Sequence, residues 1–362
     1  MLIQVAQLFA VDLGFFAAEG EADLSRDLHE VLSDPLFDAM DISSAELKEM
    51  VAQSPSIARA LLALYGAYRD AQHSATTLAV QVSEGEAQEG TEPTPQSPSE
   101  EVNDFIQASG NYFPDLEEAA ERLWQRAALS ENSIQDKLIL ALHEHHGVKV
   151  EIVPWSRLPG ALRRYDPKKR QLLLSELLPT RSRRFQLAHQ WCLLEHGELL
   201  DHHAEDPRFF SAASRSLARV SLANYFAGAV LMPYGPFLDA AKRERYDVDV
   251  LGRRYRVGFE QVCHRLTTLR RPKAEGIPFH MLRIDVAGNI SKRFSGSGIR
   301  FARFGGACPR WNVFQAFMTP GMIRVQVGQM PDGRTFFCIA RTIQRDSGGY
   351  HAPQPVMAVG LG

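Results

Sequence analysis

The 362-residue chain carries 40 basic and 43 acidic side chains, a net charge of −3, and 45% hydrophobic residues. So balanced a charge supplies no global field toward nucleic acid or an anionic membrane, and the apolar content suffices for buried cores in two or three domains. Every apolar run falls far short of the roughly 20 residues of a membrane-spanning helix. No basic-then-apolar leader opens the chain, and the four cysteines (Cys192, Cys263, Cys308, Cys338) contain no Cys-x-x-Cys pair. The composition reads as soluble and cytoplasmic, with either free thiols or a dispersed cluster site.

Residues 1–71 read as a helical segment. Val5, Leu8, Phe9, Val11 and Leu13 lead into an acidic turn, and Leu24, Leu28, Val31 and Leu32 recur near helical spacing. Ser43-Ser-Ala-Glu46 has the form of a capping box, and an apolar stretch from Ile57 to Tyr68 follows Ser54-Pro-Ser56. That second helix offers Ala, Leu and Tyr, whereas a recognition helix presents Arg, Lys, Asn or Gln to base edges. The pair is expected to pack or dimerise rather than read DNA. Residues 72–102 have the composition of a disordered acidic linker: no Lys or Arg occurs between Arg69 and Arg122, and Glu84, Glu86, Glu89 and Glu92 stand among Pro, Ser, Gly and Gln.

A globular unit is expected over 103–250. Leu116–Leu129 and Ile134–His145 are amphipathic helices, Val148–Pro154 is an alternating strand, and Leu162 to Leu174 is a hairpin turning at Asp166-Pro-Lys-Lys169. From Arg157 to Arg184, nine Lys or Arg stand against two acids, Asp166 and Glu176. The run reads either as a solvated turn or as a site for a polyanion such as the phosphates of a nucleotide or coenzyme A. His202-His203 falls in an acidic loop. Val220–Met232 is an apolar helix stopped by Pro233, Leu238–Arg245 a polar helix, and Phe259–Leu269 a helix carrying Cys263 and His264.

The stretch from Arg183 to His196 has the frame of a zinc-peptidase active helix, in which His-Glu-x-x-His sets two imidazoles one turn apart with a general base between them. Here His189 holds the first ligand position, but Gln190 replaces the base and Leu193 the second ligand. Gln cannot take a proton from metal-bound water, and Leu cannot bind zinc. His196 lies two turns on, ~10 Å along the axis, too far to share one ion with His189.

The last third, 251–362, is strand-rich. Phe279–Val286 and Asn289–Phe294 flank Ala287-Gly288, Met322–Gln329 and Thr335–Thr342 flank Pro331-Asp-Gly333, and Pro355–Leu361 is a further apolar strand. The fold class is α+β: an N-terminal helical segment, a degenerate zincin-like domain, and an antiparallel sheet with helices. Phe301, Phe304, Trp311, Phe314 and Phe317 are available either to cup a small ligand or to pack a core. Gly305-Gly306 lets backbone approach Cys308 closely, and Pro309 follows it as Pro follows ligand cysteines in cluster loops. Cys338, in Phe336-Phe-Cys-Ile339, and Cys192 read as small buried hydrophobes.

Two sets of motifs carry a resemblance. Arg184-Phe-Gln-Leu-Ala-His189 and Ala223-Asn-Tyr-Phe-Ala227 before Leu231-Met-Pro233 resemble the ImmA/IrrE metallopeptidase superfamily, whose third zinc ligand, a Glu a few residues before Ala-Asn, has no counterpart in Val220-Ser-Leu222. Gln261 to Leu269, Gly288 to Arg293 and Phe304 to Phe317 narrow the likeness to the short-chain fatty acyl-CoA regulators, transcription factors of propionate and related catabolism. The likeness spans the whole chain and implies a GAF/PAS-like sensor fold, no enzymatic activity, and control of methylcitrate- and glyoxylate-cycle genes. It implies acyl-CoA, with propionyl-CoA foremost, as ligand, and a 4Fe–4S cluster on Cys263, Cys308 and a further cysteine past residue 362. Family members open with a DNA-binding helix-turn-helix, so promoter DNA would be met through a preceding segment, as a homodimer or tetramer. The first candidates for coenzyme A are Arg163, Arg164, Lys168, Lys169 and Arg170 for its phosphates and Tyr165 for its adenine, with Arg270, Arg271, Lys292 and Arg293 as a second group. The rival readings are an active zinc peptidase, a partner-binding module on a dead peptidase fold, and an iron or redox sensor.

Overall fold

The computed structural model describes residues 98–158, 161–299, 301, 310–330, 333–344 and 356–362, together with parts of 24–68: residues 24–25, 27–29, 31–32, 37, 43–62, 64–66 and 68. These fall into two compact units. In the first, helix α1 (Ser44–Gln53) starts on the expected capping box. The Glu46 amide donates to Ser43 Oγ at 3.3 Å and the Ser43 amide to Glu46 Oε2 at 2.9 Å, satisfying two amides that the first turn leaves without helical partners. Residues 55–62 are helical as well, and Leu28, Val31, Leu47, Val51, Ala58, Leu62 and Tyr65 bury one another in a small core. The expected Val5–Leu13 helix and residues 72–97 of the expected linker lie outside the described residues.

The second unit opens with α2 (Pro98–Ala108), five residues of which fall inside the span expected to be linker. Its Val102, Phe105 and Ile106 recur at helical spacing and enter the core. Two acids inside the span expected to be linker are structural. Glu101 is 2% exposed and accepts the Phe210 amide at 3.0 Å, while Glu100 pairs with Arg293. Helices α3 (Pro114–Arg126) and α4 (Ile134–His146) follow, the first begun by proline at its first turn, the second stopped by Gly147 at φ +63°, which only glycine adopts cheaply.

Strands β1 (Lys149–Val153), β2 (Arg163–Asp166) and β3 (Gln171–Ser175) form a sheet in the order β1-β3-β2. The β2–β3 hairpin is antiparallel, and β1 joins β3 in parallel. The helices α5 (Thr180–Glu195), α6 (Gly197–Ala204), α7 (Ala212–Leu231), α8 (Tyr234–Arg243), α9 (Val248–Tyr255) and α10 (Phe259–Thr267) come next. His202 and His203 therefore sit on α6 rather than in a loop, and His203 Nε2 meets Asp115 Oδ2 at 2.6 Å.

The C-terminal half of α7 is apolar on every side and forms the centre of the unit, against α3, α5 and α10. One contact there is ionic. Arg265 of α10 is 2% exposed and donates through both terminal nitrogens to Glu117 of α3, at 2.5 and 2.9 Å, and the Tyr225 hydroxyl of α7 donates to the same carboxylate at 2.6 Å. Burial and the Glu117 charge push the Tyr225 hydroxyl pKa well up.

Beyond α10 lies an antiparallel sheet in the order β5-β4-β8-β7-β6, built from β4 (His280–Ile284), β5 (Ile290–Ser295), β6 (Arg324–Gln329), β7 (Thr335–Gln344) and β8 (Val356–Leu361). Helix α11 (Asn312–Met318) packs on β6, β7 and β8, so closely that a Cβ at Gly360 would lie 2.7 Å from Val313 Cγ1. The α+β class is as read from the sequence. The apolar core does not divide near residue 250: Leu251, Cys263 and Leu266 share one cluster with Phe226 of α7 and with Met281 and Val359 of the sheet.

Candidate functional site

The remnant peptidase helix is α5. His189 points into the core at 4% exposure, hydrogen-bonded to the Asn224 side chain of α7, with Nδ1 lacking a partner. Burial, reinforced by the Arg163 charge, lowers its pKa to about 4, so the imidazole is neutral at physiological pH. Next to it, Arg163 of β2 donates to Gln190 Oε1. A guanidinium thus occupies the neighbourhood in which a peptidase keeps its general base and metal-bound water. Leu193 packs against the core. Among the described residues no group of three or more His, Cys, Asp or Glu could hold a metal ion. Gln190 and Leu193 leave the helix without the general base and the second ligand of a zinc peptidase.

The basic run from Arg157 to Arg184 is split by the fold. Residues alternate across β2, so Arg163 and Tyr165 share one face: Arg163 reaches Gln190, and Tyr165 packs against the core opposite Leu172. Arg164 is exposed on the other face. Lys168 and Lys169 sit exposed at the hairpin turn, where their amides bond Asp166 at 2.9 and 3.0 Å, and Arg170 turns its Nη1 toward the His146 carbonyl at 3.4 Å. The six do not converge on one cavity. Arg181, Arg183 and Arg184, at the end of the same run, instead gather in the first turns of α5.

The second basic group is taken up by other contacts. Arg270 bonds the Gly296 carbonyl at 2.7 Å. Arg271 pairs with Glu121 at 2.7 Å and lies 4.4 Å over the Tyr234 ring. Lys292 pairs with Glu260, and Arg293 with Glu100.

Of the cysteines proposed for a cluster, Cys308 lies outside the described residues, as does Phe304. Cys263 is fully enclosed in the apolar core, and burial, then the nearby Glu260, pushes its thiol pKa up. Cys338 is not fully buried: its Sγ lies 3.8 Å from His280 Nε2, a juxtaposition across β4 and β7 that no local motif signals. Sequence reasoning also missed the Arg163–Gln190 contact, for which the only signal was a basic residue on an inward-facing strand position.

The chain thus joins a helix that keeps the zinc-peptidase frame without its general base and second ligand to an antiparallel sheet module. Residues 143–267 match the IrrE N-terminal-like domain, and residues 268–362 match the short-chain fatty acyl coenzyme A regulator, C-terminal domain. The chain is 39% identical over 363 residues to the HTH-type transcriptional regulator PrpR of Mycobacterium tuberculosis, covering all of this chain and 74% of that protein. It is 39% identical over 367 residues to RamB of the same organism (75% of that protein) and 36% identical over 363 residues to the propionyl-CoA carboxylase regulator of Cereibacter sphaeroides (76% of it). A solved Mycobacterium tuberculosis transcriptional regulator superposes with a TM-score of 0.70 at 44% identity, over 73% of this chain and 80% of that one. This chain belongs to the short-chain fatty acyl-coenzyme A regulator family. No described helix is long and apolar enough to cross a membrane.

Proposed function

We infer that this chain is the ligand-sensing part of a transcriptional regulator of short-chain fatty acid catabolism, and that it binds a short-chain acyl-CoA such as propionyl-CoA. The observation that carries this reading is the Arg163–Gln190 contact beside a neutral, buried His189, in a chain 36–39% identical to named propionate-related and HTH-type regulators. The peptidase frame is kept for shape while its chemistry is gone. Acyl-CoA binds one arrangement of the chain better than another, and the difference in affinity shifts the population that engages promoter DNA. A ten- to hundredfold change in DNA affinity needs about 1.4–2.8 kcal/mol of coupling, which burial of two or three methylene-sized groups supplies. An iron–sulfur cluster on Cys308 and Cys263 is a separate proposal, and no step of this reading depends on it.

Calorimetric titration with propionyl-CoA, coenzyme A and free propionate tests the function. Binding of propionyl-CoA and coenzyme A with propionate silent is the expected result. Absence of heat from all three, together with no competition between them, would overturn it.

A further inference from the structure

The start of α5 borders a cavity of about 590 Å3, a volume typical of small-molecule sites. Its walls also come from the loop and first turn leading into α4, from α9, and from Arg341 of β7. Five arginines line it, Arg181, Arg184, Arg253, Arg256 and Arg341, against three carboxylates, Glu131, Asp136 and Asp249. Asp249 and Arg341 pair with each other at 2.7 Å, leaving four arginines against two carboxylates. The lining is therefore cationic in a protein whose net charge is slightly negative.

Arg184 makes the cavity unusual. Its side chain is enclosed to 5% exposure, yet its hydrogen bond to the Tyr255 carbonyl is long, 3.5 Å, and its Nε has no partner. Burial, and then the charge of Arg256, lowers its pKa, and no acid offsets either effect. A buried guanidinium beside a second cation is costly unless an anion joins it. The helix adds to the imbalance. The first turn of α5 holds no acidic residue and its cap makes no side-chain bond, so the positive end of the helix dipole has the same sign as the arginines around it. In the same lining, Gln135 keeps a buried Oε1 without a donor. The site thus lacks an anion and an N–H or O–H donor together.

We propose that this cavity binds a phosphorylated ligand, a phosphomonoester or diphosphate that also carries a hydrogen-bond donor, with Arg184 as its central contact. An adenine nucleotide and the nucleotide half of coenzyme A share that chemistry. The proposal rests on the charge of the cavity and stands whether or not acyl-CoA is the signal.

The test titrates inorganic pyrophosphate, ATP, coenzyme A and propionyl-CoA into the wild-type chain, Arg184→Met and Arg253→Gln. Because Arg184 is an uncompensated buried cation, Arg184→Met is expected to melt at or above the wild-type temperature without ligand, while pyrophosphate affinity falls about tenfold or more. Arg253→Gln, at the exposed rim, should lower it by about two- to fivefold. If coenzyme A competes with pyrophosphate and weakens in parallel, the cavity holds the phosphates of coenzyme A. If pyrophosphate and ATP weaken while coenzyme A does not, it serves another phosphorylated ligand. Failure of pyrophosphate and ATP to bind, with coenzyme A either silent or equally bound by all three proteins, would overturn the proposal; propionyl-CoA bound alike by all three in that case would leave the acyl-CoA reading intact.

Discussion

Replacing Glu117 by Ala would leave Arg265 charged, 2% exposed and without its bidentate partner in the middle of the α3–α7–α10 core. The Tyr225 hydroxyl would lose its acceptor in the same step. Breaking a buried pair by removing one partner costs about 3–5 kcal/mol, because the remaining charge keeps its desolvation penalty and loses its attraction. Glu117→Gln keeps an acceptor for the hydroxyl and should cost less than Glu117→Ala. Glu117→Leu with Arg265→Met removes both charges and should recover much of the loss, short of wild type because the Met232 carbonyl also loses the Arg265 Nε donor, now at 2.9 Å. The assay is guanidinium denaturation of the wild type and the three variants, followed by far-ultraviolet circular dichroism. A loss below about 1 kcal/mol for Glu117→Ala, or a double variant no better than the single, would refute the argument that an uncompensated charge dominates.

Two further outcomes follow from the same structure. His189 and His280 are 4% and 3% exposed, and burial lowers the pKa of each to about 4. Their folded pKa lies below the unfolded value near 6.5, so the unfolded chain binds more protons in between, and the stability they contribute is complete above that value and lost as pH falls toward 4. Denaturation midpoints should drop between pH 6.5 and 4, with a shallower slope in His189→Leu; an unchanged slope in that variant would contradict the assignment. Gln190→Glu should convert the Arg163 contact to an ion pair without creating a zinc site, since neither Leu193 nor the stretch Val220-Ser-Leu222 offers a ligand. Metal analysis after zinc loading should match wild type, and stoichiometric zinc would refute the reading.

Much of the architecture was legible locally. Asp166-Pro-Lys-Lys169 joins β2 to β3 and Ala287-Gly288 joins β4 to β5, because turn chemistry and strand alternation are short-range properties. The loss of the peptidase ligands was equally plain from His189, Gln190 and Leu193. The extent of α2 was not: Glu100 and Glu101 look like linker residues until Arg293 and the Phe210 amide, far along the chain, supply their partners.

The sequence by itself determined the α+β class, the lost zinc ligands and the family likeness, all of which depend on residue identity and spacing over a few turns. Only the tertiary structure decided where the basic side chains act. One run of arginines and lysines divides between the helix that keeps the peptidase frame, a solvated turn and a cavity open to solvent. Whether a charge is solvated or buried depends on what packs over it, and α4, α9 and β7 come to Arg184 from both earlier and later in the chain.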